Sequence, residues 1–266
     1  MVKHWLQAFR LRTLPLALSC IILGALLAEA AGVFQWPIFI LAALTTIFLQ
    51  ILSNLANDYG DTQNGADNAQ RVGPTRAVQS GAIAAYQMKK AIVIFVVLSL
   101  ISGISLIYIS LKDALQGLIF LGLGLASIAA AIKYTVGNNA YGYSGFGDVF
   151  VFIFFGLVAT IGTDYIQTLE ITFLSVVGGI AAGCFATAVL LINNIRDIDT
   201  DRLSGKKTLS TRIGKTASLV LFVILTWAPF SLVAPIWFVA PAAFVVNLFI
   251  LPVLVINVIA VSAKSP

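Results

Sequence analysis

A single histidine, His4, and two cysteines, Cys20 and Cys184, are all that the chain offers to chemistry based on imidazole or thiolate. Both cysteines fall inside long apolar runs, where a free thiol behaves as a small hydrophobe, so neither a disulfide framework nor a Cys/His zinc site can be assembled. His4 stands beside Trp5 ahead of the first apolar run, a position typical of an interfacial pair, and a Ser-His-Asp triad has no histidine to use. Charge is just as scarce. Only 10% of residues are charged against 59% hydrophobic, and a mean hydropathy of +0.99 excludes a soluble core.

What remains is a series of apolar runs of about 18 or more residues, the length that crosses a bilayer as a helix. Spans are expected at 14–31, 36–58, 90–111, 115–134, 146–163, 171–195, 217–237 and 239–262. The fold expected is an all-α polytopic membrane protein, a bundle of about eight transmembrane helices around a central cavity opening to the cytoplasmic side. It is read as one integral-membrane domain over 1–266, with halves of about 1–135 and 136–266. The first run follows Lys3, Arg10 and Arg12 and precedes Ala28-Glu29-Ala30, which imitates a signal peptide. Its length and the spans behind it favour a retained helix.

The basic residues give the orientation. With the N-terminus in the cytoplasm, 15 of the 16 lysines and arginines fall inside and Lys112 alone falls outside. By the positive-inside rule this makes the N-terminus and the site below cytoplasmic, in an integral membrane protein of a bacterial inner or plasma membrane. The net charge of +5 is then explained by topology and phosphate, without nucleic acid.

Six of the eleven acidic residues form two short clusters, Asp58/Asp61/Asp67 and Asp197/Asp199/Asp201, each closing an apolar run. In the first, "NLANDYGDTQNGAD", Asn54, Asp58 and Asp61 fall within about 60° of arc on a helix, so hard oxygen donors converge. Gly60, Gly65, Gly73 and Pro74 are expected to break the helix, returning Asp67 on a loop. In the second, "NNIRDIDTDR", Asn193, Asp197 and Asp201 make a stripe spaced four by four, with Asp199 aimed elsewhere. Carboxylates packed this densely at span ends need a cation between them, which makes Asp58, Asp61, Asp67, Asp197 and Asp201 the metal-ligand candidates.

Bases follow each cluster. Arg71 and Arg76 lie in the first loop, and Lys206, Lys207 and Arg212 in the second. Hard dications held by few carboxylates complete their shells with water and phosphate oxygens, and guanidinium forks match phosphate, so the combined pattern is a metal-diphosphate site. Asn54, Asn57, Asn193 and Asn194 join the candidates for binding the diphosphate. Tyr134, Tyr141 and Tyr143 follow the fourth span, where aromatic faces can stabilise a cation and hydroxyls can orient an acceptor.

The motifs "NLANDYGD", "RAVQSG", "NNIRDIDTD" and "GKKTL" resemble those of the intramembrane aromatic prenyltransferases of the UbiA superfamily, nearest the branch that prenylates 1,4-dihydroxy-2-naphthoate in menaquinone synthesis. The family pattern NDxxDxxxD maps onto Asn57, Asp58 and Asp61. Gly65 stands at its last position, and Asp67 follows two residues on, as in the naphthoate branch. The DxxxD pattern maps onto Asp197 and Asp201. Nine spans are usual in the family, against eight here. Asn138 or Asn139 replaces a usual proline, and Asp148 stands where an acid, commonly Glu, is usual.

The resemblance implies two Mg²⁺ holding a polyprenyl diphosphate, with Asp58, Asp61, Asp197, Asp201, Tyr134 and Tyr141 as the catalytic set. It implies transfer of the polyprenyl group to an aromatic acid substrate, 1,4-dihydroxy-2-naphthoate, with loss of CO₂ and diphosphate to give demethylmenaquinol. Other acceptors, 4-hydroxybenzoate or homogentisate, and an ion-coupled secondary transporter are the alternatives. A transporter places its coupling acids near the middle of the membrane, whereas these stand at span ends on one side.

Overall fold

The computed structural model describes residues 1–65 and 75–233, together with the single position 255. Nine helices run through them: α1 (Val2–Phe9), α2 (Leu14–Ala30), α3 (Trp36–Gln63), α4 (Ala85–Ser110), α5 (Ala114–Lys133), α6 (Gly147–Thr168), α7 (Phe173–Arg196), α8 (Ile198–Leu203) and α9 (Leu209–Val233). Seven spans, with α1 and α2 counted as one, are long and apolar enough to cross a membrane, and the described residues contain no strand. The eighth expected span, 239–262, lies outside the described residues.

Local sequence sets the helix starts. Pro15 and Pro37 stand in the first turns of α2 and α3, where a missing N–H costs nothing. Asp113 accepts the Gln116 N–H to cap α5, and Thr172 and Ser175 cap α7 reciprocally. Arg10, in the left-handed region at φ 48°, ends α1 and turns the chain into α2. Helix α1 was not among the expected elements; it buries Ala8 in a cluster with Ile51, Leu55, Ile83 and Met88, fixing the N-terminal segment over α3.

Three boundaries differ from the sequence expectation, each for a physical reason. Helix α3 continues through Gly60 to Gln63, because Gly60 is where Thr135 presses against the helix: a Cβ there would come 2.7 Å from the Thr135 carbonyl oxygen. Thr135 closes the contact by donating its hydroxyl to the Ala56 carbonyl at 3.0 Å. The second aspartate stripe crosses a bend at Asp197 (φ −96°, ψ 10°), which ends α7 and begins α8. Its spacing nonetheless survives, since the Asp197 N–H reaches the Asn193 carbonyl at 3.0 Å and the Asp201 N–H reaches the Asp197 carbonyl at 2.8 Å. Helix α9 starts at Leu209, well before the expected 217, with a kink at Gly214.

Within α6 the segment Phe152–Ile161 is wound as a π-helix. It packs on α7 through glycines: a Cβ on Gly156 would lie 2.5 Å from the Gly179 carbonyl oxygen and 2.6 Å from the Gly183 Cα. In a bilayer, where lipid is as apolar as leucine, such close backbone approach is a main source of helix affinity. Gly156→Ala is therefore expected to destabilise the protein by about 1–3 kcal/mol. Gly122→Ala, where a methyl meets only open space, should be neutral or stabilising. Thermal unfolding of both variants in detergent checks this.

Candidate active site

Asp58 and Asp61 lie on the last turns of α3, and Asp197 and Asp201 at the α7–α8 bend and on α8. All four line a single chamber of about 1030 Å³. The two halves of the sequence thus both contribute carboxylates to one chamber. Asp58, Asp61 and Asp201 are buried, with exposures of 2%, 3% and 8%.

Burying so much negative charge needs specific partners. Asp61 is served by side chains. Its Oδ2 lies 3.4 Å from the Arg76 guanidinium, its Oδ1 accepts the Tyr143 hydroxyl at 3.0 Å, and the Lys206 ammonium is 4.0 Å from Oδ1. Lys206 also lies over the Tyr143 ring, 5.3 Å from its centroid. Asp58 is held differently: its two oxygens accept the backbone N–H groups of Ala77 and Val78, each at 3.0 Å. Asp197 is gripped by the fork of its neighbour Arg196, at 2.7 and 2.6 Å. Asp199, ranked below the others from helix geometry, is exposed and pairs with Arg202 at 3.9 Å, away from the chamber lining.

The remaining candidates divide. Asn57, Asn193, Asn194, Arg76, Lys206 and Tyr134 line the chamber. Asn54 does not; its amide donates to the Phe9 carbonyl at 2.9 Å and the Thr13 hydroxyl at 3.0 Å, tying α3 to the N-terminal segment. Lys207 and Arg212 also lie outside the lining. Arg212 donates to the Ser144 carbonyl at 2.7 Å and the Lys207 N–H bonds the Tyr143 carbonyl at 3.2 Å, so this stretch braces the loop that carries the tyrosines. Asp67 and Arg71 lie outside the described residues.

A second, apolar cavity of about 380 Å³ runs down through α2–α7. It shares Thr13, Asn57, Tyr134, Val189, Leu190 and Asn193 with the polar chamber, so the two adjoin. Tyr134 stands at this junction and packs edge-on against Tyr141 at 5.3 Å; Tyr141 stacks on Phe150 at 4.0 Å, and Phe150 on Phe154 at 6.0 Å. Burial, reinforced by the carboxylates of Asp61, Asp148 and Asp201, raises the Tyr134 phenol above its ordinary range, so it remains protonated at neutral pH. Burial raises Tyr141 as well, and its hydroxyl donates to the Ala130 carbonyl at 2.9 Å, leaving the ring as the functional part.

Sequence reasoning passed over several of these residues. Arg10, Arg12 and Arg196 line the chamber but had been read only as orientation signals. The amphipathic pattern of Val2–Phe9 is the signal that could have placed the first two over the site. Phe150 and Phe154 are inconspicuous in an apolar run. Tyr143 is expected from the sequence to offer a ring face to a cation or a hydroxyl to the acceptor; its hydroxyl instead donates to Asp61.

Mg²⁺ suits this donor set. Among the described residues no three acidic, histidine or cysteine side chains converge as a cage made by protein alone. Mg²⁺, however, is ordinarily held by one or two carboxylates together with phosphate oxygens and water, and a chamber lined by four carboxylates together with Arg76 and Lys206 matches that mode.

An intramembrane helical bundle, with paired aspartate motifs at one end above a deep apolar cavity, defines the class. The profile of the UbiA prenyltransferase family matches residues 17–265. The 1,4-dihydroxy-2-naphthoate octaprenyltransferase of Haemophilus influenzae is 45% identical over 84% of this chain and 73% of its own. The Escherichia coli protein of the same name is 46% identical over 80% of this chain and 69% of its own. The structure of a UbiA homologue from Archaeoglobus fulgidus bound to GPP and Mg²⁺ superposes with a TM-score of 0.67 at 16% identity, covering 98% of this chain and 88% of that one; this likeness is one of fold. The chain belongs to the UbiA prenyltransferase family.

Tyr143→Phe removes the hydroxyl bond to a buried carboxylate but keeps the ring beneath Lys206. It is expected to cost about 1–3 kcal/mol of stability, read as a lower unfolding temperature in detergent.

Proposed function

We propose that the protein transfers a polyprenyl group from polyprenyl diphosphate to 1,4-dihydroxy-2-naphthoate, releasing diphosphate and CO₂ and forming a demethylmenaquinol. The observation that carries this reading is the shared chamber: both aspartate motifs line it, and it adjoins an apolar cavity at Tyr134. The choice of acceptor is supported by the names of the relatives at 45% and 46% identity.

Asp61, Asp197 and Asp201 would hold Mg²⁺, two ions in all; Asp67, outside the described residues, stays a candidate from the sequence alone. Mg²⁺ supplies Lewis-acid stabilisation of the leaving diphosphate. Arg76 and Lys206 bind its remaining oxygens, and Asn57, Asn193 and Asn194 orient it by hydrogen bonds. The allylic C–O bond breaks with its electron pair passing to the diphosphate, so positive charge develops on the allylic carbon. Tyr134 presents a π face and an uncharged phenol to that carbon, and the rings of Tyr141 and Phe150 extend the surface into the apolar cavity. That cavity keeps water from the cation and takes the proximal isoprene units. A ring carbon of the electron-rich naphthoate then forms the new C–C bond, and the carboxylate departs as CO₂. No step requires a histidine, in keeping with a chain whose one histidine is His4. The distribution of basic residues supports a cytoplasmic site.

Two measurements test the reading. Asp61→Ala and Asp197→Ala should each lower prenyl transfer by at least about a thousandfold while the protein still inserts, and EDTA should abolish wild-type activity until Mg²⁺ is restored. Near-wild-type turnover in either variant would refute the metal assignment. Separately, purified protein given Mg²⁺, one polyprenyl diphosphate and each aromatic acid in turn should prefer 1,4-dihydroxy-2-naphthoate over 4-hydroxybenzoate and homogentisate. Preference for another acid would overturn the acceptor.

A further inference from the structure

We propose that Asp58 is a positioning residue and not a metal ligand: its buried carboxylate straps the segment 76–83 in place so that Arg76 faces the diphosphate. This rests on the function proposed above and divides labour within the first aspartate motif.

The case begins with what each carboxylate holds. Asp61 has side-chain partners only in the contacts described, namely the Arg76 guanidinium, the Tyr143 hydroxyl and the more distant Lys206 ammonium. Such groups sit on rotatable bonds and can reorient when a cation arrives. Asp58 holds two consecutive backbone amides, with Oδ2 accepting from Ala77 and Oδ1 from Val78, both at 3.0 Å. Main-chain donors cannot swing away independently, and drawing Asp58 onto a cation would strand two of them in a region where Asp58 itself is 2% exposed.

The strapped segment is a built turn. The Ser80 N–H reaches the Arg76 carbonyl at 3.1 Å, Gly81 reaches Val78 at 3.0 Å and Ile83 reaches Ala77 at 3.0 Å, with Gly81 in the left-handed region at φ 72°. Ala77 and Ile83 belong to the core cluster with Leu55, on the same helix as Asp58. Arg76 is the residue immediately before the first strapped amide, so the register of Ala77 against Asp58 sets where the guanidinium projects. Asp58 and Asp61, three residues apart on α3, therefore act on Arg76 together, one through the backbone and one through the guanidinium.

The test uses full-length protein in detergent. In Asp58→Asn, one acceptor becomes a donor facing an amide. Hydrogen exchange of peptides covering 75–83, measured without Mg²⁺ or donor, should rise by about tenfold or more, and the KM for polyprenyl diphosphate should rise by roughly tenfold. The Mg²⁺ concentration for half-maximal activity should stay within about twofold of wild type, whereas Asp61→Asn should raise it about tenfold or more. Adding Asp58→Asn to Arg76→Ala should raise KM little further, because both act through one guanidinium. The proposal is overturned if Asp58→Asn shifts the Mg²⁺ requirement as far as Asp61→Asn does while exchange over 75–83 is unchanged. Asp58→Gln, likewise an amide but one methylene longer, is read in the same way. Wild-type protein gives a measurement free of any folding defect: the strap predicts protection at 75–83 before metal is added and unaltered by Mg²⁺ alone, and a change on adding Mg²⁺ alone counts against it. Absence of Mg²⁺-dependent transfer in wild type would instead refute the proposed function, leaving the exchange comparison to decide the strap.

Discussion

Carboxylates sunk into the end of a membrane bundle repel one another and lose hydration, and the architecture around the chamber answers that cost at Asp58, Asp61 and Asp197 with three different kinds of partner. Asp58 is answered by main-chain amides, Asp61 by a guanidinium, a phenol and an ammonium, and Asp197 by the fork of the adjacent arginine. The partners of Asp61 come from separate stretches of chain. Arg76 follows α3, Tyr143 lies between α5 and α6, and Lys206 lies between α8 and α9. Neutralising Asp61 alone therefore draws three connecting segments to one point, and the chamber is where they meet.

The positions of these segments depend in turn on close backbone approach. Gly60 lets Thr135 lie directly on α3, and Thr135 donates to Ala56 and to Asn57 Oδ1. The residue before it is Tyr134, so the phenol at the junction of the two cavities is placed by a glycine on another helix. Gly142 and Gly147 repeat the device around the Tyr134 ring: a Cβ at Gly142 would come 2.5 Å from the Tyr134 carbonyl oxygen, and one at Gly147 3.0 Å from its ring. Small residues in this chain thus locate aromatic ones. The π-wound segment of α6 adds Phe154, Phe155, Val158 and Ala159 to the apolar lining.

How much of this could be read beforehand follows from the range of each interaction. Span number and approximate limits were legible because each helix must satisfy its own backbone in lipid, a requirement written locally. The convergence of Asp58 and Asp61 was legible because spacing on one helix is arithmetic. By contrast, Gly60 looked like a helix breaker because its reason for being there, Thr135, lies 75 residues away in sequence. Arg212 looked like a phosphate ligand because a base near an aspartate motif reads alike whether it faces the chamber or the Ser144 carbonyl. Asn54 fell on the right face but too far along α3, where Phe9 and Thr13 claim its amide. The sequence pattern gave the direction of each side chain about its own axis, and only tertiary packing decided what it met there.

The boundary between the two cavities explains why the proposed chemistry belongs at this depth. A polyprenyl diphosphate is itself divided into a charged head and an apolar tail, and the bond to be broken lies at the division. In the proposed reaction the polar chamber takes the head and the apolar cavity the tail, so binding alone would bring the scissile bond to the shared lining at Asn57, Tyr134 and Asn193. On that proposal the leaving charge would move outward toward Arg76 and Lys206, while the opposite charge would be left against the Tyr134 face and shielded from water below. Separating charge across such a boundary is costly in lipid and in water alike. It becomes feasible where fixed cations stand on one side and aromatic faces on the other, which is the arrangement that the buried aspartates hold together.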